Sequence, residues 1–398
     1  MTSPDQDPVV IASMARTPIG NFLGAFNGVA ATELGSKAIA SAIEQAGVAG
    51  DDVNEVLMGC VLPAGLGQAP ARQAALGAGL PPSAGCVTIN KVCGSGMKTA
   101  MIAHSAIKAG VSDIVVAGGM ESMTNAPHMV KSGRSGIKFG HGQMLDHMAY
   151  DGLEDAYQKH TAMGVFAEKC AREWQFSREE QDEYSMRSVT RAQKAIESGA
   201  FKDEITAVDI PSRKGTVTVD TDEKPGLVKA EKIPQLRAAF EKDGTVTAGN
   251  ASAISDGAAA LVLMRESEAE KRGIQPLARL IGQATHSQEP EWFTTAPVES
   301  INNLLKKVGW TTDEVDLFEI NEAFAVVPLA AMRELKLPAE KVNINGGAIA
   351  LGHPIGASGA RIIVTLINAL RNSGGKKGVA SLCIGGGEAT SIAVELAA

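Results

Sequence analysis

The last third of this 398-residue chain repeats the first, and that duplication constrains the fold more than any other feature. TTDEVDLFEI (311–320) echoes GDDVNEVLMG (50–59), and INGG (344–347) echoes the opening of INKVCGSG (89–96). SLCIGGG (381–387) takes the place that VVAGG (115–119) holds in the first copy. Buried-strand patterns at 9–15, 53–58, 87–89 and 114–117 alternate with helical ones, and the pattern resumes at 258–264 and 278–281. One helix carries Leu34, Ala38, Ile39, Ala42, Ile43 and Ala46 on its apolar face, with Thr32 placed to cap it and Gly47 to close it. Its counterpart carries Ile301, Leu304, Leu305 and Val308 and stops at Gly309. Two copies of a βαβ-rich unit predict an α/β fold with a largely parallel sheet covered on both faces. A ligand crevice is expected where the two copies' glycine-rich turns meet.

Size and charge narrow the options. A chain of 398 residues is long enough for two or three domains. Residues 123–148 are crowded with Met, His, Lys and Gly, and a charged helix is expected over about 178–199. The span 124–253 therefore reads as an inserted loop domain. The expected halves are 1–123 plus 254–274, and 275–398. A net charge of −8 argues against a nucleic-acid surface. Five scattered cysteines without a CxxC pair indicate neither a metal site nor a disulfide framework. No signal-peptide pattern, ELAA at the end, and no apolar run of membrane-spanning length make the cytoplasm the expected compartment, with no membrane partner.

The chemistry-bearing residues sit in the glycine-rich turns. In KVCGSGMKTAMIAHSAIKAG (91–110), Cys93 stands at or just before the start of a helix whose Met97, Met101, Ile102 and Ile107 face a core and which Gly110 can end. Free N–H groups and the macrodipole there favour an anion, so a thiol pKa lowered into the reactive range is expected. Gly94 and Gly96 leave room for a substrate beside the sulfur. His353, in GHPIGASGAR (352–361), can deprotonate a thiol. Cys383 ends a buried strand before three glycines whose N–H groups can line an oxyanion pocket. Asn321, in NEAF (321–324), offers an amide for a carbonyl oxygen or a water. Taken singly, each has a structural explanation as a core cysteine, a turn or a helix cap. Together in a duplicated fold, they do not.

These motifs resemble the thiolase family, in its acetyl-CoA acetyltransferase branch, nearly end to end. The likeness runs through ARTPIGNFLGAF (15–26), APARQAA (69–75), INKVCGSGMK (89–98), VVAGGMESM (115–123), GTVTAGNAS (244–252), NEAF, NGGAIALGHPIGASGAR (345–361) and SLCIGGG. The resemblance implies α/β/α/β/α layers with a loop domain that holds coenzyme A. It implies reversible Claisen condensation of two acetyl-CoA to acetoacetyl-CoA and CoA through an acyl-cysteine. In that scheme Cys93 accepts the acyl group, His353 activates it, and Cys383 exchanges a proton with the acetyl α-carbon or the leaving thiol. Asn321 holds a water that forms one oxyanion hole with His353, and the N–H groups of Cys93 and Gly385 form the other. Ser252, Met163, Phe293, Ala323 and Phe324 match substrate or CoA contacts, with Phe293 limiting acyl length. No cofactor or metal is required, coenzyme A being substrate and product, and a homotetramer, a dimer of dimers, is expected with loop 123–148 in its contacts.

Three departures from the family pattern stand out. Ala162-Met163-Gly164 replaces the family's HMG, with His160 two residues earlier, so the histidine's role is not carried over. Glu388-Ala389 replaces the Met-Gly that often follows CIGGG, and Pro328 falls in the helix after NEAF. The alternatives are a broader 3-ketoacyl-CoA thiolase and an inactive CoA- or lipid-binding relative. Decarboxylating or hydroxymethylglutaryl-type condensing enzymes pair one cysteine with other groups, and the CIGGG cysteine speaks against them.

Overall fold

The structure, a computed structural model, describes residues 7–213 and 215–397; positions 1–6 and 398 of the expected halves lie outside the described residues. The chain opens with β1 (Val9–Arg16), β2 (Gly20–Asn21), α1 (Ala31–Ala46), β3 (Glu55–Gly59), α2 (Pro70–Gly77), β4 (Gly85–Ile89), α3 (Ser95–Lys108) and β5 (Ile114–Ser122). The next segment holds the strand pair β6 (His128–Met129) and β7 (Leu145–Asp146), then α4 (Met163–Glu173) and α5 (Arg178–Glu197). It continues through the hairpin β8 (Val208–Ser212) and β9 (Gly215–Val219) to α6 (Glu223–Leu227). β10 (Ser255–Arg265) returns to the first sheet, and α7 (Glu266–Arg272) leads out of it. Then come β11 (Ala278–Ser287), α8 (Ala296–Val308), β12 (Leu317–Ile320), α9 (Val326–Leu335), α10 (Ala348–Leu351), α11 (Ile355–Ser373), β13 (Lys377–Ile384) and β14 (Glu388–Leu396).

The duplication is visible in the pairing. The first copy orders its strands β4-β3-β5-β10-β1 and the second orders them β12-β13-β14-β11, with a parallel bridge from Phe318 to Val342 in the place of β4. Within each copy the outer pairs are parallel and the inner ones antiparallel. A short antiparallel contact, Val10 opposite Arg279 and Ile11 opposite Ala278, joins both into one ten-stranded sheet. The sheet is thus mixed rather than largely parallel. The reason is local: only Gly385–Gly387 separates β13 from β14, and a three-residue turn joins antiparallel strands only.

Three cores hold five layers together, the central one reaching the strands of both copies. α1 and α2 pack through Leu34, Ala38, Ile39, Ala42 and Ala74 against Val10, Val56, Val116 and Val262 on one outer face. α8 and α9 pack through Ile301, Leu304, Val327 and Ala330 against Phe318, Ile320, Val379 and Ala393 on the other. Between the sheets lie α3 and α11, sharing a core of Met97, Ala100, Met101, Ile107, Ile362, Ile363, Leu366 and Ile367. Every residue from Ile355 to Leu370 is buried, as a helix enclosed on all sides requires. Thr32 lies within the first turn of α1 and not at its cap. Ala30 holds the cap position, and the Glu33 carboxylate reaches back to accept its N–H at 2.8 Å.

A buried charge cluster ties the segment between β5 and β10 to the core. Arg16, fully enclosed at the end of β1, donates through Nε to Glu204 Oε1 at 2.5 Å and through both Nη atoms to Asp222 at 2.7 and 2.8 Å. Glu204 also accepts from Thr365 Oγ1 at 3.0 Å and Asn368 Nδ2 at 2.9 Å on α11. Removing the cation would strand two carboxylates in a dry interior. Arg16→Met is expected to cost about 3–5 kcal/mol in urea unfolding; a loss below about 1 kcal/mol would mean that the cluster is not a structural anchor.

Candidate active site

Cys93 sits two residues before α3, in a turn folded upon itself. Ser95 Oγ accepts from Lys91 N at 2.8 Å and donates to Val92 O at 2.6 Å, and Asn90 Oδ1 accepts from Val92 N at 2.9 Å. These bonds hold Val92 at φ 46°, a left-handed conformation costly for a β-branched residue. The first turn of α3 is pressed against α11: a Cβ on Gly359 would stand 2.2 Å from Met97 N, and one on Gly96 2.8 Å from Ala360 N. Only glycine allows that approach.

His353 precedes α11 and is buried. Its Nδ1 lies 2.6 Å from Ser358 Oγ, whose own proton goes to Pro354 O at 2.9 Å. Ser358 therefore accepts from Nδ1–H, which leaves Nε2 unprotonated and facing Asn321 Nδ2 at 3.5 Å. Burial, reinforced by the Arg361 charge, pushes His353 down to about 3, so it is a neutral base at physiological pH. Asn321 is buried, its N–H bound to Ser381 O at 2.9 Å, and its Oδ1 has no partner among the described residues.

The second copy brings Cys383 and Gly385 to the same point. Burial pushes the Cys93 thiol up to about 11, against the pull of the Gly385 N–H and its own N–H; the Glu121 charge adds to the rise. The lowered pKa expected at a helix N-terminus is thus corrected: enclosure outweighs the dipole. Cys383 is completely buried, and its thiol is pushed well above the usual range by that burial and then by the neighbouring Cys93.

A cavity of about 600 Å³ opens onto Cys93 and His353. Gly385, Ser252, Met163, Phe293, Ala323 and Phe324 all line it. Asn321 and Cys383 stand behind that wall, the one against His353 and the other against Cys93. Ser252 reaches the site because its N–H bonds Ala323 O at 2.9 Å, next to a bridge between Ala251 and Phe324. Phe324 packs edge-on against Phe293 and against Phe240, a wall residue the sequence reading missed. His160 does not line this cavity; its side chain is largely exposed and lies 3.9 Å from Glu154. It borders a neighbouring cavity of about 550 Å³ that shares Val92, Glu154, Met163 and Gly385 with the first. Pro328 falls in the first turn of α9, where it breaks no helical hydrogen bond. Among the described residues, no group of three or more His, Cys, Asp or Glu is placed to hold a metal ion.

Two carboxylates that the sequence reading passed over hold these loops. Glu121 accepts from Val61 N and Leu62 N at 3.0 Å each and from Gly356 N, in the first turn of α11, at 2.7 Å. Glu322, beside Asn321, accepts from Tyr184, Ser188, Asn343 and Ile349 N at 2.7–3.0 Å. Acidic residues inside apolar motifs were the available signal. Ser358, which sets the His353 tautomer, carried none.

Comparison with known proteins agrees with this fold. The thiolase N-terminal domain model matches residues 9–267 and the thiolase C-terminal domain model residues 274–396. Acetyl-CoA acetyltransferase 2 of Arabidopsis thaliana is 51% identical over 391 residues, covering 98% of this chain and 97% of the relative. A protein named probable acetyl-CoA acyltransferase from Staphylococcus aureus (strain MRSA252) is 49% identical over 389 residues, covering 97% and 98%. The crystal structure of the Bacillus anthracis acetyl-CoA acetyltransferase superposes with a TM-score of 0.95 at 44% identity, covering 98% of this chain and 99% of that one.

With its pKa raised, Cys93 should alkylate slowly with iodoacetamide at neutral pH, the rate rising about tenfold per pH unit between 7 and 9 as thiolate accumulates. A plateau at or below pH 8, read from modification kinetics against a Cys93→Ala control, would mean that the thiolate is already formed.

Proposed function

The chain belongs to the thiolase family, and we propose on that premise that it is an acetyl-CoA C-acetyltransferase, condensing two acetyl-CoA reversibly to acetoacetyl-CoA and CoA. The observation that carries the reading is the convergence of the Cys93 sulfur, the Gly385 N–H, the unprotonated Nε2 of His353 and the Cys383 thiol beside one cavity.

His353 Nε2 takes the Cys93 proton as the sulfur attacks the thioester carbonyl. The N–H groups of Cys93 and Gly385 receive the oxyanion, and such donors are worth about 3–4 kcal/mol each. The departing CoA thiolate takes the Cys383 proton. That leaves an acyl-Cys93, an imidazolium and a Cys383 thiolate. Because its thiol pKa is raised, that thiolate is a strong base, as a weakly acidic thioester α-carbon demands. It removes the α-proton of the second acetyl-CoA, while the imidazolium and a water held by Asn321 receive the enolate oxygen. The enolate carbon attacks the acyl-Cys93 carbonyl, acetoacetyl-CoA departs, and the Cys93 thiolate recovers its proton from His353. Charges balance without a cofactor or metal, coenzyme A being substrate and product.

Ser252 and Met163 are proposed as pantetheine and thioester contacts, with Ala323, Phe324 and Phe293 closing the acyl end. A broader 3-ketoacyl range is the second reading, favoured by the neighbouring cavity beyond Met163. The halves 1–123 plus 254–274 and 275–398, with 124–253 as the loop domain, are proposed as the working division. Among the described residues no helix is long and apolar enough to cross a membrane, and the cytoplasm is the proposed location. A homotetramer is supported by Ile137, Phe139 and Met144, all exposed on the loop between β6 and β7. Sedimentation showing only monomers at micromolar concentration would overturn it.

Thiolysis should be faster with acetoacetyl-CoA than with a medium-chain 3-ketoacyl-CoA; comparable rates would favour the second reading. Cys93→Ala is expected to abolish both directions, whereas Cys383→Ala should keep some acyl transfer to Cys93 and lose condensation. Full synthetic turnover in Cys383→Ala would overturn its assignment as the acid/base group.

A further inference from the structure

Glu388, the departure after CIGGG, has a partner. Its carboxylate forms an ion pair with Lys91, which stands two residues before Cys93, and Ser287 Oγ donates to its other oxygen at 3.4 Å. The pair spans the junction between the two copies where the chemistry sits. On one side is the turn with Val92 in a left-handed conformation, a strain that its surroundings must hold. On the other is Gly385–Gly387, where Gly386 and Gly387 have φ of 93° and 87° and Gly387 O accepts from Gln288 N at 2.8 Å, while Gly386 has nothing packed where a Cβ would stand. The other contacts across the junction are apolar or backbone ones: the Ile384 side chain packs on Gly94, where a Cβ would meet its Cδ1 at 2.3 Å, Val92 Cγ1 stands 3.6 Å from where a Cβ on Gly385 would be, and the Gly385 N–H faces the Cys93 sulfur. Lys98 on α3 lies close enough for its charge to act on Lys91.

We propose that the Lys91–Glu388 ion pair is a clamp that keeps the Gly385 N–H aligned on the Cys93 sulfur, making both side chains positioning residues for acyl transfer. The proposal rests on the thiolase reading above. An ordinary ion pair at these exposures, 23% and 34% of the side chains, contributes little to stability, so its loss should spare the fold.

The test compares Glu388→Gln, Lys91→Met and the swapped double variant K91E/E388K with the wild type. Each single variant should lower kcat for acetoacetyl-CoA thiolysis by about tenfold, short of the hundredfold or more that deleting an oxyanion donor costs. KM should stay within twofold, the melting midpoint within about 2–3 °C of wild type, and the swap should restore at least half of kcat. Cys93 alkylation by iodoacetamide should slow in both single variants, a readout that needs no turnover. Unchanged kcat and alkylation in an active enzyme would overturn the clamp alone. So would a kcat loss that tracks a fall in melting midpoint without rescue, or a rise confined to KM. A wild type without turnover would overturn the thiolase reading instead, with alkylation still deciding on the clamp.

Discussion

Everything at this site depends on how closely the first turns of α3 and α11 approach. Backbone meets backbone there, with Gly96 against Gly356 O and Ala360 N and Gly359 against Met97 N. Any side chain at these glycines would push the two N-termini apart and carry Cys93 away from His353. Glu121 locks the arrangement from the first copy by accepting an N–H from the first turn of α11 in the second. Burial pushes that carboxyl up to about 7, while the amides of Val61, Leu62 and Gly356 pull it down. It acts as a helix cap supplied from the other half of the chain.

The same closeness decides the resting protonation state. A helix N-terminus offers a thiolate about 0.3–1 kcal/mol, up to about 2 in partly buried settings. Enclosure between two sheets works against it and wins: Cys93 rises, Cys383 rises further, and His353 falls. The site therefore rests as two thiols and a neutral imidazole. Charge is created only with substrate present, when the oxyanion donors have something to receive. A preformed thiolate–imidazolium pair would instead be open to oxidation and alkylation between turnovers.

Much of this was legible beforehand because turns write themselves locally. Gly47, Gly110 and Gly309 close their helices with φ of 63°, 71° and 72°. Cys93, His353 and Cys383 announce themselves as polar or reactive groups in or just before glycine-rich turns. Where the reading failed, a neighbour outside the local pattern decided. Thr32 lost the cap because Glu33 reaches back to Ala30. The sheet is mixed because the glycines after Cys383 make a hairpin rather than a crossover. Glu121 finds Gly356 across 235 positions and Glu322 finds Tyr184 across 138, separations at which no pattern in a single sequence points to the partner.

Amino-acid order alone sets the duplicated α/β architecture, the turns that carry the reactive groups and the family to which they belong. Periodicity, glycine and proline act over a few residues, and long motifs carry their identity with them. Which groups hold those turns, which nitrogen of His353 is free, and whether the cysteines rest charged are settled by the packing of distant elements. Those properties sum burial and hydrogen bonds from elements far apart in the chain, and the balance of desolvation against amide donors exists only once the two copies have packed together.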